Sequence, residues 1–273
     1  MIIWASLGTA LKGFEGVANN LRESFRALAG GRPLGSVAEL PGVSIASLGV
    51  KFQMFNAAFL SSPVETDIEL EERLHMARVY FASHEQRWAF WICEDWLQTG
   101  SVRRKLSRYC ENVGLRLTSE LPGMAAEGLR KPSRELPALE IRRVDSETIL
   151  NDFRAVGASC FHVPIAWFSE VFDTTLLADH PFACWVGYRD SEPVATAATI
   201  FAEGAIGLYN VATVPSCRHH GYAESITRKA IEKAARHCGS GSMVLQSTSD
   251  GYRLYSRIGF EPVTRVLVYN SVP

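Results

Sequence analysis

The sequence predicts a mixed α/β protein made of two halves. Segments with helical spacing of apolar residues alternate with short runs rich in β-branched and aromatic residues. A stretch with three prolines and no apolar period, residues 122–138, divides the chain. The 273 residues, 47% of them hydrophobic, suffice for one large domain or two moderate ones. We therefore expect an N-terminal domain over residues 1–130 and a C-terminal domain over residues 138–273.

Composition narrows the class of protein. The formal net charge is -1, so no bulk field would attract nucleic acid or an anionic membrane surface. The six cysteines show no C-x-x-C pair, which predicts reduced thiols in a cytoplasmic protein and no metal. The first residues lack the pattern of a signal peptide, and no apolar stretch is long enough to span a bilayer.

Helix and strand signals alternate through the first half. Apolar residues from Trp4 to Leu28 recur at spacings of three, four and seven, which predicts an amphipathic helix ending near Gly30. Its apolar face predicts packing within its own domain, with a dimer or membrane contact as the alternative. The remainder of the first half predicts strands within 43–60 and a helix over 67–85 with Leu70, Leu74, Ala77 and Phe81 on its buried side. After that helix it predicts a strand over 87–93, a helix over 101–114 and a strand over 115–121.

The second half continues the alternation with more strands. The pattern of apolar residues predicts a strand over 139–144, helical segments within 146–178 and three strands over 182–214. It then predicts a helix over 223–237, a strand over 242–248, a short helix over 250–258 and a final strand over 262–270.

The stretch "VPSCRHHGYAESITRKA", residues 214–230, puts a basic loop with a glycine between a strand and a helix. A helix N-terminus offers unpaired backbone N–H groups and about half a positive charge. Arg218 adds a cation, and Gly221 and Ala223 are small enough for close approach. The loop therefore favours a diphosphate ligand, with a plain strand–helix turn as the alternative.

A second motif follows at a suitable distance. "MVLQSTSDGYRLYSRIGF", residues 243–260, places Tyr255 four residues before Gly259-Phe260. Together with "CRHHGYA" (217–223), an R-x-x-G-x-A pattern, it makes residues 139–271 resemble the GCN5-related N-acetyltransferase (GNAT) superfamily. The resemblance implies a mixed, mostly antiparallel central sheet flanked by helices, and acetyl-CoA as the cosubstrate.

The resemblance also implies which residues form the site. The cofactor would lie along Val211, Ala212 and Thr213 and near Thr248, between two strands that splay apart, with a backbone N–H of the first strand stabilising the oxyanion. Tyr255 would protonate the leaving thiolate or hydrogen-bond to it. The diphosphate would be held by the loop residues Arg218, His219, His220, Gly221, Tyr222 and Ala223.

The chain departs from the family pattern at two positions. The strand "GLYNVATV" carries no carboxylate that would serve as general base, and Asn210 cannot accept a proton at neutral pH. Glu203, near the preceding turn, is a candidate base acting through water. Thr248 and Ser249 stand where relatives often have asparagine. The general base is therefore unassigned.

Aromatic residues in the first helices suggest an acceptor pocket. In the resembling family these helices line the acceptor site, which implies Phe161, His162, Trp167 and Asn210 as substrate-binding residues. Core packing is the alternative for the aromatic side chains. Cys217, His219 and His220 have poor spacing for zinc and are expected to be solvated loop residues.

The first half shows a faint repeat of the second. "FNAAFLSSP" (55–63) is similar to "YNVATVPS" (209–216), and "RYCENVGL" (108–115) to "RLYSRIGF" (253–260). The N-terminal domain is thus either a degenerate, non-catalytic copy or only similar by coincidence.

These observations predict an acetyl-CoA-dependent N-acetyltransferase that acts directly on a primary amine. The acceptor is a small molecule or a peptide, not nucleic acid or membrane. The alternatives are an acyl-CoA-binding sensor without turnover and a scaffold protein without coenzyme A affinity. The oligomeric state is left open, a homodimer included.

Overall fold

The computed structural model describes residues 13–178, 180–239 and 241–272. Trp4, Leu7 and Leu11 of the first predicted helix lie outside these residues. The N-terminal half comprises α1 (Phe14–Ala29), β1 (Ser36–Leu40), β2 (Val43–Ser47), β3 (Asn56–Leu60), α2 (Asp67–Ser83), β4 (Ala89–Cys93), α3 (Gly100–Asn112) and β5 (Leu115–Ala126). The C-terminal half comprises β6 (Glu140–Arg143), α4 (Glu147–Phe161), α5 (Ile165–Val171), β7 (Phe182–Arg189), β8 (Glu192–Ala202), β9 (Ala205–Thr213), α6 (Tyr222–Cys238), β10 (Met243–Gln246), α7 (Ser249–Ile258) and β11 (Glu261–Ser271).

Local sequence explains the predicted helices well. Helix α2 begins at a capping box, in which the Thr66 side chain accepts from the Glu69 amide and the Glu69 side chain accepts from the Thr66 amide. Its four predicted core residues, Leu70, Leu74, Ala77 and Phe81, are all fully buried. The prediction of this helix and its buried face is confirmed.

All eleven strands of the described residues form one sheet, in the order β1-β2-β3-β4-β11-β5-β10-β9-β8-β7-β6. The pairs β3–β4 and β9–β10 are parallel, and the other neighbours are antiparallel. The predicted mixed, mostly antiparallel sheet is confirmed. The predicted end of the strand over 115–121 is wrong, because β5 continues to Ala126. Its last residues pair with β10 and β11, and the Pro122 carbonyl accepts from the Ser247 amide.

The strand order relates the two halves. If β1 to β5 are matched in turn with β7 to β11, the order of these ten strands reads the same from both ends. The matched elements between them also agree, since α2 and α6 follow β3 and β9, and α3 and α7 follow β4 and β10. Each half gives its last strand to the other, so that β11 lies between β4 and β5, and β5 lies between β11 and β10.

Helices cover both faces of the C-terminal part of the sheet. Along β7, Cys184 and Val186 belong to the apolar cluster that contains residues of α4, whereas Trp185 belongs to the cluster that contains residues of α6. This alternation follows from the two-residue period of a strand. Helix α1 of the N-terminal half joins α4, because Leu28 and Ala29 lie in the same cluster.

Among the described residues, no helix combines the length and the apolar character that a membrane crossing requires.

Candidate functional site

A cleft opens between the two parallel strands of the C-terminal half. Strands β9 and β10 pair only at Ile206–Met243 and Gly207–Val244. Beyond these pairs β9 continues for six residues along β8, without a pairing to β10. The sheet is therefore split from Leu208 onward.

A β-bulge shapes the wall of this cleft. Asn210 has φ 48° and the β8–β9 register shifts at this point. The Val214 amide donates to the Val194 carbonyl on β8 at 3.0 Å. Since successive amides of a strand point to opposite sides, the amides of Thr213 and Val211 face away from β8, toward the cleft.

Polar atoms without partners line the opening. The Asn210 Nδ2 and the Thr213 Oγ1 on β9 are buried and form no hydrogen bond within the described part of the chain. Buried polar groups are normally satisfied, so two of them on the strand beside the cleft fit a polar ligand. Ala212, by contrast, pairs with Thr196 on β8 and offers the cleft no free amide.

The loop after β9 presents free backbone donors. Gly221, with φ 96°, is the N-cap of α6 and brings no side-chain cap, whereas α2, α3, α4 and α7 each begin with a capping Ser or Thr. The amides of His219, His220 and Gly221 donate to no described residue. The first turn of α6 thus resembles an anion site, with the exposed His219 and His220 beside it.

The side chains of this loop differ in whether they are accessible to a ligand. Tyr222 is buried in the core, so only its backbone N–H, like that of Ala223 after it, remains for a ligand. Arg218 is exposed, and its Nε donates to the Thr213 carbonyl at 3.3 Å. Burial raises the pKa of the neighbouring Cys160 thiol, opposed by the Arg218 charge and by a hydrogen bond with the Thr213 backbone. The last turn of α4 therefore reaches the end of β9.

Gly221 is closely packed as well as conformationally special. A Cβ on Gly221 would meet Pro137 Cδ at 3.1 Å and Arg134 Nη2 at 3.2 Å. Pro137 and Arg134, from the segment that joins β5 to β6, therefore border this side of the glycine. Gly221 is required for its positive φ and for this packing.

Tyr255 lies in the same apolar cluster as Cys217 and Tyr222. Its ring packs against Phe260, with centroids 5.8 Å apart, and Gly251 leaves room for it one turn earlier. Burial raises the pKa of Tyr255 above its ordinary value, so the phenol stays protonated through neutral pH. Thr248 caps the same helix, with its Oγ1 accepting from the Gly251 amide at 3.2 Å.

An ion-pair triad joins the two helices of the site. Sequence reasoning missed it, although Glu224 and Arg228 have the spacing of four that is typical of an ion pair on a helix. Glu224, in the first turn of α6, has a side chain only 3% exposed. It accepts from Arg257 of α7 at 2.8 Å and from Arg228 at 2.8 Å. Burial would raise the pKa of Glu224, but the hydrogen bonds from both arginines outweigh burial and lower it. The triad fixes α7, the helix of Tyr255, relative to the start of α6.

Of the predicted acceptor residues, Trp167 contacts the N-terminal half. Phe161 and Trp167 are about 40% exposed, and His162 ends α4 in the left-handed region with φ 55°. Trp167 stacks against Phe52 of the N-terminal half at 5.9 Å. Phe52 is a neighbour that sequence reasoning missed, because nothing in the sequence relates the 48–55 loop to α5.

Buried contacts anchor α5 to the N-terminal half. The Arg32 side chain is 5% exposed, pairs with Asp173 at 3.2 Å and donates to the carbonyls of Glu170 and Val171. The Lys51 amide donates to the Glu170 carboxylate at 3.0 Å.

Glu203 does not suit the role of a base. It lies in the β8–β9 turn, eight residues before Val211, which at strand rise is on the order of 20 Å from the bulge. This distance argues against Glu203 as the candidate base acting through water, and the general base stays unassigned.

The matching cleft of the N-terminal half is closed. After their parallel pairing, β3 and β4 stay connected because the Val64 amide donates to the Trp96 carbonyl at 2.8 Å and the Gln98 amide to the Val64 carbonyl at 2.9 Å. The Arg73 guanidinium donates to the carbonyls of Ser62 and Pro63, both at 2.7 Å. The Glu69 carboxylate takes the amides at the start of α2.

Comparison with known proteins agrees with this geometry. Residues 180–262 match the family model described as an acetyltransferase (GNAT) domain. These residues form a GNAT acetyltransferase domain. They contain the β9–β10 cleft, the free amides and Tyr255, so the resemblance seen in the sequence is confirmed.

Solved structures share the GNAT fold over most of the chain. A GCN5-related N-acetyltransferase from Kribbella flavida is 20% identical with a TM-score of 0.70, covering 98% of this chain and 97% of its own. A functionally unknown conserved protein from Staphylococcus epidermidis is 12% identical with a TM-score of 0.61, covering 87% and 94%. A GCN5-related N-acetyltransferase from Sphaerobacter thermophilus is 13% identical with a TM-score of 0.55, covering 84% and 76%. No curated protein sequence matches the chain.

All six cysteines are free thiols. Among the described residues, no group of three or more His, Cys, Asp or Glu side chains is arranged to hold a metal ion.

Proposed function

We propose that the protein is an acetyl-CoA-dependent N-acetyltransferase that transfers an acetyl group to a primary amine. The observation that carries the proposal is the split between β9 and β10 beside an uncapped helix N-terminus, within a GNAT domain. A strand edge with free amides suits an extended amide-bearing arm, and free helix amides suit a diphosphate.

Each part of the cofactor has a counterpart in the site. The pantetheine arm lies between β9 and β10, where Val211 and Thr213 turn their amides to the cleft and two buried polar atoms of β9 lack partners. The diphosphate lies on the amides from His219 to Ala223, near the Arg218 charge. Thr248 contributes through its backbone, because its hydroxyl caps α7.

The reaction forms a C–N bond and breaks the C–S bond of the thioester. The Val211 amide donates to the carbonyl oxygen as negative charge develops on it. Tyr255 supplies the proton that the leaving thiolate takes up, and its raised pKa keeps that proton available at neutral pH. No carboxylate on β9 accepts the proton that the amine loses, so this proton leaves through water.

The acceptor amine enters beside the aromatic residues at the junction of the halves. Trp167 packs against Phe52, Phe161 and His162 lie at the end of α4, and Asn210 on the bulge has a buried Nδ2 without a partner. Exposed aromatic rings next to a polar group fit an amine on a partly apolar small molecule or peptide.

The N-terminal half serves as a non-catalytic support in this proposal. Its matching cleft is closed at Val64 and Leu97, and its own side chains occupy the donors at the start of α2. It provides Phe52 and the Arg32 anchor to the acceptor wall. The six free cysteines support a cytoplasmic location.

A sensor that binds acyl-CoA without turnover is the second candidate, favoured by the absence of a carboxylate on β9. Thiol release from acetyl-CoA, measured with small amines, amino acids, aminoglycosides and peptides, separates the two. Amine-dependent thiol release supports the transferase. Tight coenzyme A binding without release from any amine supports the sensor, and no binding at all contradicts both.

A further inference from the structure

The interdomain segment is folded onto the proposed cofactor site. Its chain runs from the end of β5 to the start of β6, over residues 127–139. The Arg130 amide donates to the Ile258 carbonyl at the end of α7 at 2.9 Å, and the Arg130 carbonyl accepts from Arg228 of α6 at 2.7 Å. At its other end, the Pro137 carbonyl accepts from Ser225 of α6 at 3.2 Å.

These anchors hold Arg134 beside the free amides. Arg134 lies between the two attached ends, and its Nη2 is 3.2 Å from the position that a Cβ on Gly221 would take. Pro137 packs on the same glycine from 3.1 Å. The sequence separates Arg134 from Gly221 by more than eighty residues, so only the fold reveals the pair.

The guanidinium of Arg134 is free to bind an anion. Its residue is exposed, and it forms no ion pair with any carboxylate in the described part of the chain. The one buried carboxylate nearby, Glu224, is already paired with Arg228 and Arg257. An arginine without a partner beside a row of unpaired amides suits a phosphate oxygen, which accepts from both.

We infer that Arg134 binds the diphosphate of the cofactor, so that the segment joining the two halves is part of the cofactor site. The inference rests on the proposed function and extends it to a residue outside the 180–262 match. The position beside Gly221 favours the diphosphate over the 3′-phosphate of coenzyme A, because the amides of the same loop face that group.

The test compares two ligands and three proteins by calorimetry. Coenzyme A carries both the diphosphate and the 3′-phosphate, whereas dephospho-coenzyme A carries only the diphosphate. The proteins are the wild type, Arg134→Ala and Lys131→Ala, the last being an exposed cation of the same segment. We expect Arg134→Ala to weaken both ligands by a similar factor, roughly 5- to 30-fold for a solvent-exposed charged hydrogen bond, and Lys131→Ala to change neither by more than about twofold.

Two results would overturn the inference while leaving the proposed function intact. One is a wild type that binds coenzyme A while Arg134→Ala binds it equally well. The other is a loss confined to coenzyme A, which would assign Arg134 to the 3′-phosphate. A wild type that binds neither ligand contradicts the proposed function itself and the inference with it. Because Arg134 is exposed, its removal leaves the core intact, and matching thermal unfolding curves verify this for each variant.

Discussion

The Tyr209 hydroxyl donates a 2.7 Å hydrogen bond to the Oδ1 of Asn20, which joins a strand of the cleft to a helix of the other half. The Asn20 Nδ2 donates to the carbonyls of Ala202 and Ala205, at 2.9 and 3.0 Å. Asn20 is fully buried, so its side-chain amide provides the hydrogen bonds that water would otherwise give to the two carbonyls and the Tyr209 hydroxyl. The position of β9, and of the bulge that follows Tyr209, therefore depends on the N-terminal half.

Asn20→Ala should lower the free energy of unfolding by about 1–3 kcal/mol, because it leaves buried acceptors and a buried hydroxyl without partners. Urea unfolding measures the change. Asn19→Ala, the adjacent and partly exposed position on α1, is the matched control and should have a much smaller effect. Equal losses in the two variants would contradict the role given to Asn20.

Tyr255→Phe should lower the turnover number by about 10²–10⁴-fold and leave acetyl-CoA affinity nearly unchanged, as expected for loss of a general acid. Steady-state kinetics with an acceptor from the amine panel, together with calorimetry, separate the two quantities. Tyr252→Phe, on the same helix, is the control. A Tyr255→Phe enzyme that retains full turnover removes Tyr255 from the mechanism.

The pH dependence follows from the raised pKa of Tyr255. A phenol whose pKa lies above its ordinary value of about 10 remains a proton donor throughout the neutral and mildly alkaline range. Turnover of the wild type should therefore rise as the amine loses its proton and show no decline between about pH 7 and pH 10. A falling limb within that range that disappears in Tyr255→Phe would contradict the assignment of a raised pKa.

Glu224→Gln should destabilise the fold by about 1–3 kcal/mol at neutral pH, since it breaks charged hydrogen bonds to Arg228 and Arg257. The pKa of Glu224 is lower in the folded chain than in the unfolded one, whose value is about 4.3. The contribution is thus complete above that unfolded value and is lost as pH falls through the lower folded value.

Unfolding of wild type and Glu224→Gln at pH 7 and at pH 3 tests this sign. The difference between the two proteins should shrink at the lower pH. Glu232→Gln, which removes only exposed pairs on the same helix, should be nearly neutral at both. A difference that grows on acidification would contradict the ion-pair account.

Trp167→Ala should raise the acceptor KM by about tenfold and leave the acetyl-CoA KM unchanged, because an exposed aromatic wall contributes on the order of 1 kcal/mol or more to binding. Ile68→Ala, an exposed apolar residue on α2, is the control. A change in the acetyl-CoA KM alone would place Trp167 outside the acceptor pocket.

The sequence predicts what is local and misses what the topology creates. The starts of α6 and α7 depend on adjacent residues, so the sequence predicts both helices. The strand β1, of five residues with a half-exposed pattern, gives too weak a period to recognise. The exchange of β5 and β11 between the halves has no local signature. The alternation of side chains along a strand is the same whichever strand lies beside it.

Residues that are distant in sequence but lie near the site cannot be predicted from local patterns either. Asn20, Phe52 and Arg134 all belong to segments before residue 138, and each reaches the C-terminal half through folding alone. The packing of Pro137 and Arg134 on Gly221 has the same origin, because residues more than eighty positions apart meet only in the folded chain.

The most direct test of the account is a calorimetric titration of the full chain with acetyl-CoA. The account predicts one site per chain, weakened by Arg218→Ala and unaffected by Arg73→Ala in the matching loop of the N-terminal half, where the cleft is closed at Val64 and Leu97. Two independent sites per chain, a site lost with Arg73 instead of Arg218, or no binding at all would contradict it.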